Sequence, residues 1–69
     1  MQPYTVCFLD KGNHVVATRD VLVPDDDGAI VRAKYLCGAE ARCVAIEVWA
    51  GNRLVHRESR TEAETYISA

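Results

Sequence analysis

The stretch Pro24-Asp25-Asp26-Asp27-Gly28-Ala29-Ile30-Val31-Arg32-Ala33-Lys34-Tyr35-Leu36-Cys37-Gly38 decides the fold. Proline ends the strand before it. An Asp side chain caps the free N–H groups of a first helical turn, and three carboxylates suit the positive end of a helix dipole. Ala29, Ile30, Ala33, Leu36 and Cys37 recur at helical spacing, with Arg32 and Lys34 on the outer side. Gly38 suits the position just past the helix end, and the pattern also allows the helix to run on into Ala39-Glu40-Ala41.

Upstream of this helix lies a hairpin. Tyr4-Thr5-Val6-Cys7-Phe8-Leu9 is rich in β-branched and aromatic residues and reads as the first strand. Asp10-Lys11-Gly12-Asn13 supplies turn chemistry, and His14-Val15-Val16-Ala17-Thr18 returns as the second strand. That strand continues through Val21-Leu22-Val23 if Arg19-Asp20 is a bulge or bend. Downstream, Cys43-Val44-Ala45-Ile46-Glu47-Val48-Trp49 alternates as a third strand. Ala50-Gly51-Asn52-Arg53 is a second hairpin turn, and Leu54-Val55-His56-Arg57-Glu58 is the fourth strand.

Two hairpins joined by one helix form a fully antiparallel sheet if strands 1 and 3 pair at its centre. The expectation is an α+β fold, ββαββ, with a four-stranded antiparallel sheet in the order 2-1-3-4 and one helix packed on one face. Strands 1 and 3 are the most apolar, and the charges of strand 4 suit an edge. The helix then covers Tyr4, Val6, Phe8, Val44, Ile46, Val48 and Val55. The other face shows Thr5, Cys7, Leu9, Ala45, Glu47, Trp49, Leu54 and His56, with His56 opposite Glu47 if the second hairpin is tight. A register error of one residue exchanges the faces of a strand.

At 69 residues the chain is one domain, expected over residues 1–58, with 59–69 as a tail that is disordered or a short helix. Two weak capping patterns, Ser59-Arg60-Thr61-Glu62 and Thr61-Glu62-Ala63-Glu64, support the helical option for the tail. There is no apolar run of about 18 residues for a membrane span, and the N-terminus lacks the pattern of a signal peptide. A cytoplasmic location with no membrane contact is expected. Cys7, Cys37 and Cys43 match no metal spacing and read as free thiols. The net charge of −2 gives no general pull toward nucleic acid or anionic lipid.

Candidate chemistries fall to simpler readings. Asp25-Asp26-Asp27-Gly28 lacks the alternating ligands of a calcium loop and is an acidic helix start. His14 and His56 share no metal spacing with the cysteines, and no nucleophile motif, phosphate loop or carboxylate cluster occurs. No enzyme activity, metal or cofactor is expected. The informative residue is Trp49, the one tryptophan, which alternation turns away from the core row Val44, Ile46 and Val48. With Leu54, Leu9 and Cys7 it forms an apolar patch, flanked by His56 and Arg53. These six residues are the expected interaction face of a small module that self-associates as a homodimer or binds a protein partner. The competing reading is a weak single-stranded nucleic-acid binder, with Trp49 stacking bases beside Arg53 and Arg57. The acidic balance, the lone aromatic on that face and the absence of an RNP-like motif argue against it. A third possibility leaves the protein a plain monomer, with Trp49 flat on the sheet or covered by Tyr66 and Ile67 of the tail.

Three motifs together carry a resemblance: Tyr4…Phe8-Leu9-Asp10…Asn13-His14-Val15, Asp25-Asp26-Asp27-Gly28-Ala29-Ile30, and Glu47-Val48-Trp49-Ala50-Gly51-Asn52-Arg53-Leu54-Val55. They resemble a group of small uncharacterised alphaproteobacterial proteins that share a Tyr-x-x-x-Phe-Leu-Asp opening, an acidic helix start with Ala-Ile, and a Glu-Leu-Trp-x-Gly-x-Arg-x-Val close. The resemblance spans residues 4–57 and implies a bacterial cytosolic protein, with no activity, ligand or catalytic residue attached. The Gly38–Arg42 segment and the longer tail after Arg57 depart from the group's pattern.

Overall fold

A computed structural model describes residues 1–59. They form β1 (Gln2–Leu9), β2 (Val15–Val23), α1 (Asp26–Ala39), β3 (Ala45–Ala50) and β4 (Arg53–Ser59). All neighbouring strands are antiparallel and the order is β2-β1-β3-β4, the architecture expected from the sequence. The expectation of a tail lies outside the described residues, except that Ser59 closes β4.

Local chemistry explains the element ends. The Asp25 carboxylate accepts from the Gly28 N–H at 2.8 Å and caps α1, while Asp26 and Asp27 occupy the first turn. Asp10 does similar work in the first turn of the chain, its Oδ1 accepting from the N–H groups of Gly12 and His14 at 2.9 and 3.0 Å. Asn13 takes a left-handed backbone there (φ 68°). In the second turn Gly51 has φ 63° and Asn52 does not share it, the pattern of a type II′ hairpin.

The core lies between α1 and one sheet face. Tyr4, Val6, Phe8, Val23, Ile46 and Val48 meet Ala29, Ala33 and Cys37 of the helix, with Cys43 closing the end. The helix presents alanine and cysteine to the sheet, and Ala29 and Ala33 are fully buried. Small side chains at the contact let the helix axis approach the strands closely, so the large residues of β1 and β3 fill the layer between them. Ile30 and Leu36, expected on this face, are only partly buried at its margins.

Of the two helix ends the sequence allows, the later holds: α1 runs through Gly38 to Ala39, where the Glu40 N–H bonds back to the Cys37 carbonyl. Three expectations change. Cys43 and Val44 precede β3 rather than belong to it, because the Cys43 N–H is drawn into a turn with the Glu40 carbonyl. Cys37 and Cys43 are not free thiols but a disulfide, their Cα atoms 5.5 Å apart across the Gly38–Arg42 turn, which leaves Cys7 as the free cysteine. The irregularity of β2 is not at Arg19-Asp20, which pair regularly with Val6 and Thr5. It lies at Val16, which is skipped between the Phe8–Ala17 and Leu9–Val15 pairs, and both Val16 and Ala17 pack on the core.

Two outcomes check this packing. Ala33→Leu inserts three carbons where no space exists and should cost about 1–3 kcal/mol in denaturant unfolding, with the fold retained. Unfolded without reductant, the chain should expose Cys7 alone to alkylation, and reduction should lower stability by about 2 kcal/mol, as befits a short closed loop. Labelling of all three cysteines before reduction would refute the disulfide.

Candidate interaction surface

The register of β3 and β4 sorts the expected face into two groups. Opposite pairs share a face, and Val48 belongs to the helix side. Trp49 pairs with Thr5 of β1 and with Leu54 of β4, so these three lie together on the side away from the helix. Cys7 and Glu47 form the next pair on that side. Val55 is then skipped, and Val48 pairs with His56. This β-bulge puts both Val55 and His56 on the helix side and advances the register by one residue. Glu47 therefore faces Arg57 and not His56, as the tight hairpin had suggested.

His56 consequently sits on the helix side of the sheet edge, where its Nε2 lies 2.9 Å from Glu58 Oε1 and the Lys34 ammonium of α1 reaches the same carboxylate at 3.3 Å. These contacts hold the Glu58 carboxyl below its ordinary range, the His56 hydrogen bond contributing most. Arg53 pairs with Ala50, which packs on the core, and its guanidinium points to Asp26 at 3.5 Å. Leu9 stays on the open face but is buried next to Ala45. Of the six expected residues, the structure brings Trp49, Leu54 and Cys7 together as accessible surface, buries Leu9 and turns His56 and Arg53 away.

A chain of polar contacts holds the open face. The Trp49 Nε1–H donates to Glu47 Oε1 at 3.2 Å, Arg57 donates to Glu47 Oε2 at 3.0 Å, and the same guanidinium donates to Asn13 Oδ1 at 2.8 Å. The partly buried indole is thus fixed by a carboxylate that is itself fixed by Arg57. Thr5 extends the row by donating to Asp20 at 3.1 Å. Burial raises the pKa of the Cys7 thiol and the Glu47 carboxylate adds to the shift, which disfavours a reactive thiolate.

Sequence reasoning missed one part of this surface. Pro3 pairs with Leu22, one row beyond Thr5 and Trp49, and Leu22 is 64 % exposed. Leu54 is 45 % exposed on the far side of Trp49. The apolar end of the open face is therefore Leu22, Pro3, Trp49 and Leu54. The signal was the continuation of strand 2 through Val21-Leu22-Val23, but its meaning depended on a regular register past Asp20.

Compared with known protein families, with curated proteins and with solved structures, the chain matches none. Among the described residues no group of three or more His, Cys, Asp or Glu side chains is placed to hold a metal ion. No helix among them is long and apolar enough to cross a membrane.

The helix start is tied to the sheet at one carboxylate. Asp26 accepts from the buried Tyr4 hydroxyl at 2.7 Å and from Arg53 at 3.5 Å. The Tyr4 bond is the first cause and the Arg53 bond the second of an Asp26 pKa held below the ordinary carboxylate value, and the same bond pushes the Tyr4 phenol up. Asp10 is lowered as well, chiefly by the His14 backbone N–H. Below about pH 4 the unfolded chain takes up protons that the folded chain resists, so stability falls as pH drops through the folded values. The melting temperature should decline in that acid range, and Asp26→Asn should flatten the decline while lowering stability at neutral pH. An unchanged acid slope in Asp26→Asn would contradict the assignment.

Proposed function

We propose that this chain is a small non-enzymatic interaction module that binds a protein partner through the open face of its sheet, centred on Trp49. The observation that carries the reading is the anchoring of a partly exposed indole by Glu47 and Arg57 on a face away from the helix. Aromatic side chains held in place before binding lose little entropy on contact and dominate the energetics of protein interfaces. Leu22, Leu54 and Pro3 supply apolar area around the anchor, and the Asn13–Arg57–Glu47 chain supplies a polar border.

The reading includes a cytoplasmic location and an origin among the small alphaproteobacterial proteins whose motifs the chain resembles. The Cys37–Cys43 disulfide pulls against the first part, because such bonds persist in oxidising compartments. The nucleic-acid alternative loses its cations on this geometry: Arg57 is neutralised by Glu47, and Arg53 faces Asp26 on the other side of the sheet.

Affinity capture with the full chain from native lysate tests the proposal. A partner should be retained by the wild type and lost with Trp49→Ala, at a cost of roughly 2 kcal/mol or more in binding. Capture that is indifferent to Trp49→Ala would overturn the assignment of the face. Binding of a fluorescent single-stranded RNA pool that requires Trp49 and weakens steeply with salt would favour the nucleic-acid alternative instead.

A further inference from the structure

We infer that Cys37 and Cys43 are an exchangeable redox site: a small thiol enters a cleft between α1 and the β3–β4 hairpin, attacks Cys37 and opens the disulfide while the domain stays folded. Cys37 lines that cleft of about 140 Å³ together with Lys34, Ala45, Ile46 and Glu58. Cys43 is not among its walls and is 1 % exposed, against 3 % for Cys37. Entry therefore leads to one sulfur of the pair. Lys34 of α1 and Glu58 of β4 join the two walls by a solvent-exposed ion pair at 3.3 Å. Exposed pairs of this kind contribute little to stability, so the contact can yield to an entering molecule.

Opening the bond disturbs no part of the core. Gly38, Ala39, Ala41 and Arg42 are exposed, Glu40 is half-buried, and none of them belongs to the apolar layer. A Cβ built on Gly38 meets nothing within 4 Å, so the segment starts in open space. The last turn of α1 contains this glycine and no basic residue, which makes it a weak helix end that the disulfide fastens to the start of β3. Breaking the bond releases that turn, while Ala29 and Ala33 stay buried against the sheet.

Both redox states fit the site. Cys43 Sγ lies 3.2 Å from the Ala45 carbonyl oxygen, so the thiol formed on reduction has an acceptor beside it. Reduced cysteines otherwise pack as small hydrophobes, which suits two positions within the core cluster.

The exchange is two substitutions at sulfur. The entering thiolate bonds to Cys37 Sγ, and the Cys43 sulfur leaves with the electron pair and takes a proton from solvent. A second thiolate then bonds to the sulfur of the first, and Cys37 leaves as a thiolate that is protonated in turn. The protein gains two electrons and two protons, and two small thiols become one disulfide. A small disulfide acting as oxidant reverses the sequence and recloses the loop. In reducing compartments disulfides are transient or redox-sensing, which suits the proposed cytoplasmic location.

Reduction of the oxidised full chain by glutathione, followed at increasing urea below the unfolding transition, tests the inference. Attack on the folded protein should give a rate constant that stays flat with urea. A rate constant rising about fivefold or more per molar urea would mean that the bond opens only through global unfolding, and would overturn the inference. In a Cys7→Ser background, Cys43→Ser treated with oxidised glutathione should take one glutathione on Cys37, roughly tenfold faster than Cys37→Ser takes one on Cys43. Equal or reversed rates would contradict entry at Cys37. In the amide spectrum of the wild type, reduction should move the signals of residues 37–44 and leave those of Val6 and Val48 in place. Collapse of the dispersed spectrum would show that the bond is purely structural.

Discussion

Close contact between the alanine side of α1 and the central strand pair is the constraint on which the rest of this structure depends. Ala29 and Ala33 bring the helix down onto β1 and β3, and Tyr4, Val6, Phe8, Ile46 and Val48 fill the layer beneath it. A 69-residue chain has enough apolar side chains for one such layer, and here it lies on one side of the sheet. The other sheet face is covered by no described helix or strand. Two further ties hold the helix at its ends: the Tyr4–Asp26–Arg53 cluster at the N-terminus and the Cys37–Cys43 disulfide at the C-terminus. With both ends fixed, the layer has little freedom to slide, and the open face keeps one shape.

Much of this architecture was legible because it is written in local chemistry. The helix start follows from an Asp25 carboxylate three residues from the N–H it caps. Gly51 marks the second hairpin through a positive φ, which glycine adopts without the strain a side chain would bring. The strand order follows from which strands are apolar enough to sit at the centre. What alternation could not reveal were the two bulges. Leu54, Val55 and His56 fit either face as residue types, and the extra residue at Val55 is selected by how β4 must twist to lay Val55 against the core. One skipped residue moved His56 across the sheet. The disulfide was hidden for a related reason: Cys37 and Cys43 meet because α1 ends in a turn that reverses the chain, and no spacing rule for exported frameworks or metal sites contains that turn.

The candidate surface changed in membership more than in position. Trp49 remains its centre, with Leu54 and Cys7 beside it, while Leu22 and Pro3 replace His56 and Arg53 at its margin. The charged residues once grouped with Trp49 serve other ends. Arg53 braces the helix start, His56 and Lys34 converge on Glu58, and Arg57 anchors the carboxylate that holds the indole. The molecule thus carries apolar residues on two opposite sides, Val31 and Tyr35 on the outer helix and Trp49 with Leu54 on the sheet.

The central claim is that the helix covers the Val48 side of the sheet and leaves Trp49 on the other. Nuclear Overhauser contacts from the Trp49 indole protons in the full chain test it most directly. The account predicts contacts to the Leu54 methyl groups and the Thr5 methyl group, and none to the Ala29 or Ala33 methyl groups. Contacts between the indole and either alanine would place Trp49 under the helix and contradict the account.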